Sequence, residues 1–279
     1  MKKIITLFLA TLCIASCSTR HESRKPALAV SILPLRPIVE GIVGDDFRID
    51  VLVPAGASPE TFEPTPKQLN GLNDARLIFG VGLLDFERSL LSKTADTAKI
   101  VALSRGIVPI AGDCAHDGRT HGVDPHVWTS PRELKTMAAN AYRALRLAYP
   151  DSTKYAANYE ILRNELERLD ARVAAKVSQS GVRSFIVHHP ALTYYARAYG
   201  LEQIAVEDEG KEPSAKRLSR LIARARAEGI KRIFYQVQFP ASAVEIISRD
   251  IGGKSVGINP LREDIFENIT EITDLITAP

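Results

Sequence analysis

From Leu28 onward the chain alternates short apolar runs with stretches of helical periodicity. Leu28–Leu33, Ile49–Val53, Leu77–Val81 and Ile100–Leu103 are rich in Val, Ile and Leu and have the length of buried strands. Between them, Pro37–Val43, Pro66–Asp74 and Phe86–Ala95 read as helices, and Thr65-Pro66 supplies an N-cap followed by proline at the first helical position. A second set follows, with strands expected at Ser184–His188, Ile204–Val206, Arg232–Gln236 and Lys254–Ile258. Its helices are expected at Leu192–Tyr199, Ser214–Glu228, Ser242–Ile251 and Ile265–Ile276. Strand–helix alternation at this spacing predicts parallel sheets with helices on both faces.

Two helices separate the sets. Ser130-Pro131-Arg132-Glu133 has the form of a capping box and opens a helix to about Ala148, which Pro150 stops. The next carries Tyr155, Tyr159, Leu162, Leu166, Leu169, Val173 and Val177 at steps of three and four, and Gly181 ends it. At 1.5 Å per residue, a helix of roughly 28 residues is ~40 Å long, enough to brace two lobes. The expected class is therefore α/β: two parallel-sheet lobes, 27–150 and 181–279, joined by a bracing helix over 151–180. A ligand cleft lies between them, because parallel sheets bind ligands at the carboxyl ends of their strands. No internal sequence repeat is visible.

The first 26 residues do not fit this pattern. Lys2 and Lys3 precede an apolar run from Ile4 to Ala15 that is too short to span a bilayer, so 1–16 reads as an export signal. The run ends in Ile14-Ala15-Ser16-Cys17, which resembles a bacterial lipoprotein box with Cys17 as the lipidated residue. Residues 17–26 are polar and aperiodic, as a tether would be. Export then leaves Cys114 as the one free thiol, so the body rests on its hydrophobic core rather than on disulfides.

Composition narrows the classes further. With 45% apolar and 25% charged residues, the chain is neither a coiled coil, nor collagen-like, nor wholly disordered. The formal charge is +3, and two of the lysines belong to the leader. A body this close to neutral has no electrostatic footprint for nucleic acid.

Candidate chemistry gathers in the loops after the strands. His126 lies in Asp124-Pro125-His126-Val127-Trp128, and His188 and His189 end the first strand of the second set. Carboxylates in matching loops are Glu60, Glu63 and the run Glu207, Asp208, Glu209. Imidazoles from two loops plus a carboxylate make a plausible Zn²⁺ site, although no short diagnostic spacing such as HExxH occurs. There is no GxSxG elbow and no P-loop. Cys114 with His116 sits in the polar stretch Gly112–Val123, also holding His121, which reads as a flexible segment rather than a nucleophile site.

At these residues the chain resembles the cluster-A solute-binding lipoproteins of bacterial zinc and manganese ABC transporters, the zinc-binding branch in particular. The likeness runs through Val53-Pro54-Ala55-Gly56-Ala57-Ser58, Phe62-Glu63-Pro64-Thr65-Pro66, Asp124-Pro125-His126-Val127-Trp128 and His189-Pro190-Ala191 with Tyr195. Glu212-Pro213-Ser214 and Asn259-Pro260-Leu261 complete it. The resemblance implies a metal site between the lobes, with His126 and His189 at the second and third ligand positions. Glu60 stands at the first, where the family usually has histidine, and Asn259 at the fourth, where it usually has aspartate.

The implied function is a lipid-anchored, extracytoplasmic receptor, not an enzyme. It binds Zn²⁺ through Glu60, His126, His189 and Asn259 and delivers it, as a monomer, to an ABC permease and its ATPase. Histidine at position 189 favours zinc, while Mn²⁺ or Fe²⁺ stays open because Asn259 adds a donor without charge. The same residue types also fit a His₂Glu zinc hydrolase, and the architecture also fits a haem or siderophore receptor. Glu63 or Glu207–Glu209 competes with Glu60 as the source of the oxygen ligand.

Overall fold

The computed structural model describes residues 25–91, 96–112, 122–207 and 211–278. The leader, Cys17 and most of the tether lie outside the described residues, as do Cys114, His116, His121, Asp208 and Glu209.

The first lobe runs β1 (Ala27–Val30), α1 (Arg36–Val43), β2 (Arg48–Val51), α2 (Pro66–Asp74), β3 (Ile78–Gly80), α3 (Asp85–Leu91) and β4 (Ile100–Ala102). The β strands form a parallel sheet in the order β2-β1-β3-β4, with Ala27 opposite Arg48 and Ile78 opposite Ile100. A two-residue ladder follows, β5 (Ala111–Gly112) antiparallel to β6 (Gly122–Val123), which apolar periodicity gave no reason to expect. Then come α4 (Pro131–Ala148) and α5 (Thr153–Ser180). The second lobe runs β7 (Ser184–Val187), α6 (Thr193–Tyr199), β8 (Glu202–Ala205), α7 (Ala215–Ala227), β9 (Arg232–Gln236), α8 (Ser242–Asp250), β10 (Lys254–Ile258) and α9 (Ile265–Thr277). Its parallel sheet has the order β10-β9-β7-β8. Counted within each lobe, both sheets carry their first strand at an inner position, flanked by the second and third strands, a likeness of topology without a repeat of sequence.

Period-two alternation explains how each sheet is covered. Leu28, Val30 and Phe79 face one way in the first sheet, and Phe185, Val187 and Phe234 do so in the second. All six join one continuous core with α1, α4, α5, α6 and α9. The opposite faces are closed by smaller clusters. Ala29 and Ile78 pack with Leu72 and Leu90, while Ile186 and Ile233 pack with Leu221, Val244 and Ile247. The core thus runs between the sheets, and the 28-residue α5 supplies Tyr155, Leu162, Leu166, Leu169, Val173 and Val177 to it. Tyr159 leaves this stripe half-buried and stacks on Tyr142, with centroids 4.4 Å apart.

Two helix starts differ from each other. Ser130 precedes α4, but its hydroxyl caps nothing and is buried without a partner. The expected reciprocal partner, Glu133, instead accepts from the Arg197 guanidinium of α6 at 2.7 Å, so a contact between elements displaces the local box. At α2 a full box forms: Gln68 Oε1 accepts from the Thr65 N–H at 2.9 Å and Thr65 Oγ1 from the Gln68 N–H at 3.4 Å. Gln68 Nε2 also donates to Leu52 O at 2.8 Å, fixing the long loop between β2 and α2.

Candidate metal centre

Each candidate residue is presented by a loop at the carboxyl end of a strand or just ahead of a helix. Glu60 sits in the β2–α2 loop, where its N–H donates to Ser58 Oγ at 3.3 Å. His126 follows Pro125 and opens the short turn Val127–Thr129 that leads into α4. His189 lies two residues beyond β7, and Pro190 narrows the conformations open to it. Glu60, His126 and His189 each offer one ligand atom within 4.8 Å of the others, and among the described residues this is the one such group of three. The two imidazole centroids are 5.2 Å apart with planes at 73°. Both histidines are buried, and Glu60 keeps 18% of its side chain exposed, so the site opens on the carboxylate side.

Each histidine is held by a carboxylate on its Nδ1. Asp124 Oδ1 accepts from the His126 backbone N–H at 2.8 Å and pairs with its Nδ1 at 2.9 Å. Glu207 Oε2 lies 2.8 Å from His189 Nδ1. An ionised carboxylate only accepts, so each ring carries a proton on Nδ1, and His189 turns its Nε2 toward Glu60. There His189 Nε2 meets Glu60 Oε1 at 2.9 Å, in a direction that makes no well-formed hydrogen bond. Two imidazoles and a carboxylate converging on one space form a donor set that suits a divalent cation.

The electrostatics agree with that reading. Burial works against a proton on His189, but Glu207 and then Glu60 outweigh it and push the ring up to about 10. Burial also raises Asp124, yet the adjacent His126 holds its carboxyl below the usual range. A cation entering the site therefore displaces a proton from His189.

The remaining expected residues have other partners. Asn259 Oδ1 accepts from Gln238 Nε2 at 2.7 Å and from the Leu261 N–H at 3.1 Å, while its backbone carbonyl accepts from Asn268 Nδ2 at 2.8 Å. Its side-chain oxygen is thus engaged with its own and the neighbouring loop. Glu63 lies outside the group of three. Glu207 stands on the far nitrogen of His189 rather than among the ligand atoms. His188 turns away from the triad into a separate cavity of about 550 Å³, lined also by Glu207, Glu212 and Phe239, and burial lowers its proton affinity. Trp128, tilted against His126 with centroids 5.2 Å apart, donates from Nε1 to Pro260 O at 2.9 Å and ties the two lobes beside the site.

Matching sheets, one helix shared by both lobes, and a two-histidine, one-carboxylate group at their facing loops define a bilobal α/β binding protein. More narrowly, the chain belongs to the ZnuA family, described as zinc-uptake complex component A, periplasmic, which it matches over residues 28–277. It is 28% identical over 294 residues to zinc-binding protein AdcA of Streptococcus pyogenes serotype M3. It is 29% identical over 289 residues to zinc-binding lipoprotein AdcA of Streptococcus pneumoniae serotype 4. Either match covers 97% of this chain but 56% of the relative, so the chain spans about half the length of these curated relatives. A crystal structure of ZnuA superposes with a TM-score of 0.83 at 34% identity, covering 90% of this chain and 97% of that one. Pseudomonas aeruginosa FpvC in complex with Mn²⁺ shares the fold, with a TM-score of 0.77 at 24% identity, covering 91% and 98%.

Proposed function

We propose that this chain is an extracytoplasmic receptor that captures Zn²⁺ between its lobes through Glu60, His126 and His189 and passes it to an ABC permease and its ATPase. The observation that carries the reading is the convergence of those three donor groups within 4.8 Å, with a carboxylate behind each imidazole. Two imidazoles and one carboxylate suit zinc, whose bonds to His and Glu run at ~2.0–2.2 Å, better than they suit oxygen-preferring manganese. Asn259, whose side-chain oxygen accepts from Gln238 and Leu261, or a water completes the shell as a neutral fourth donor. One chain supplies all three ligands, so metal capture needs no residue from a second copy. The zinc-binding names of the relatives support the cargo, and the lipoprotein name of one of them supports a lipid on Cys17 as the membrane anchor.

Metal analysis of protein stripped with chelator and reloaded from an equimolar Zn/Mn/Fe(II) mixture tests the cargo. One zinc per chain is expected; manganese or iron in its place would move the chain to another branch of metal receptors. For the anchor, Cys17→Ser should release the exported protein from membranes or leave it unprocessed. A mutant that is cleaved normally and stays membrane-bound would exclude the anchor.

A further inference from the structure

His189 is the member of the triad that lies between two carboxylates. Glu60 reaches its Nε2 from the loop after β2 and Glu207 reaches its Nδ1 from the loop after β8, at 2.9 and 2.8 Å. Both carboxylates follow the second strand of their lobes, so the shared topology delivers them to opposite edges of one ring. Glu207 is firmly placed. Its backbone N–H donates to His188 O at 3.1 Å, its carbonyl accepts from the Arg217 guanidinium at 3.0 Å, and its side chain is 12% exposed. Its other oxygen lies 3.4 Å from His188 Nδ1, a buried nitrogen with no hydrogen-bond partner.

Charge shows why such a residue matters here. A divalent ion held by two neutral imidazoles and Glu60 keeps one positive charge, and Asn259 has no negative charge to offer. Anionic partners behind the imidazoles raise their donor strength and spread the compensation outward. Asp124 does this for His126, but it also holds that residue's backbone N–H, so its charge and its loop-building role are inseparable. Glu207 reaches His189 through its carboxylate, and an amide of equal shape removes the charge while keeping an acceptor.

We propose that Glu207 is a positioning residue that fixes His189 as an Nε2 ligand and biases the site toward ions that bind nitrogen strongly. This rests on the reading of Glu60, His126 and His189 as the ligand set. The test is Glu207→Gln, with zinc and manganese affinities measured by competition calorimetry beside wild type. Zinc should weaken by about 10–100-fold, the usual cost of an outer-shell partner, and manganese by a smaller factor, because its bond leans on the Glu60 oxygen. The zinc-to-manganese ratio then falls. Equal losses for both ions would reduce Glu207 to a loop-holding residue, and an unchanged zinc affinity would remove it from the chemistry; either result overturns the proposal. Wild type that binds neither ion would instead refute the ligand set, and with it this role. Long-range proton–nitrogen NMR of zinc-loaded wild type gives a second reading that needs no mutant. It should show zinc on His189 Nε2 and a proton on Nδ1, and metal on Nδ1 would overturn the assignment.

Discussion

The two histidine arms of the site reach the same arrangement by different routes. The carboxylate of His126 is Asp124, two residues back in the chain, and the intervening proline stiffens the turn that joins them. The carboxylate of His189 is Glu207, 18 residues on and just past the end of the neighbouring strand, so it arrives only when β8 pairs with β7. One arm is a local motif and the other a product of the sheet. Local construction couples the ligand to its own loop, whereas construction across strands leaves ligand and partner separately adjustable.

Removing either imidazole should have the largest effect. His126→Ala and His189→Ala should each cut zinc affinity by more than the ~10–100-fold that an outer partner commands, read by competition with a chelating dye. Retention of tight binding by either variant would take that arm out of the site. Next comes Glu60→Ala, which deletes the one direct anionic donor and should weaken zinc more than Asn259→Ala, measured by titration calorimetry. Asn259→Ala should act mainly on stability, because it breaks the bonds to Gln238 and Leu261. The reverse ranking would make Asn259, not Glu60, the principal oxygen donor.

A smaller effect separates the arms by stability. Trp128→Phe removes the donor to Pro260 O and leaves a buried carbonyl without its partner, at a cost of about 1–3 kcal/mol in urea unfolding of the apo protein. No measurable loss would mean that this link does not hold the His126 arm to the second lobe. The smallest effect concerns the support of α6, which follows His189. Asp170 accepts from Lys135 Nζ at 2.8 Å and from Tyr199 Oη at 2.9 Å. Burial raises this carboxyl, but those bonds outweigh it and hold it below its ordinary 3.8. A carboxyl depressed in the folded state stabilises above its unfolded value and loses that contribution as pH falls through the folded one. Asp170→Asn should therefore destabilise the protein at pH 7 by up to about 1 kcal/mol, with the difference closing below pH 3.8. A gap that persists undiminished well below that pH would assign the loss to packing instead.

The same contrast explains what could be read from the sequence. Strands β7 and β9 and the 28-residue α5 were legible because apolar runs and heptad-like spacing record burial directly. His126 and His189 were visible as candidates because proline marks their loops, whereas Asp124 was read only as part of the motif around His126 and its hold on that ring was missed. Glu207 stood among possible ligands, since nothing local distinguishes a carboxylate facing a metal from one facing the back of an imidazole. Asn259 was singled out by the motif it shares with a family, and no local pattern told that its oxygen would accept from Gln238 and Leu261. The capping box at Ser130 failed for a similar reason, because Arg197 approaches Glu133 from a helix 64 residues away.

Anomalous diffraction from crystals of the zinc-loaded protein shows which side chains hold the metal. One zinc peak is expected, bonded at ~2.0–2.2 Å to Glu60, His126 Nε2 and His189 Nε2, with Asn259 or a water completing the shell. A peak ligated by Asn259 or Glu207 in place of Glu60, or lying away from both histidines, would contradict that ligand set.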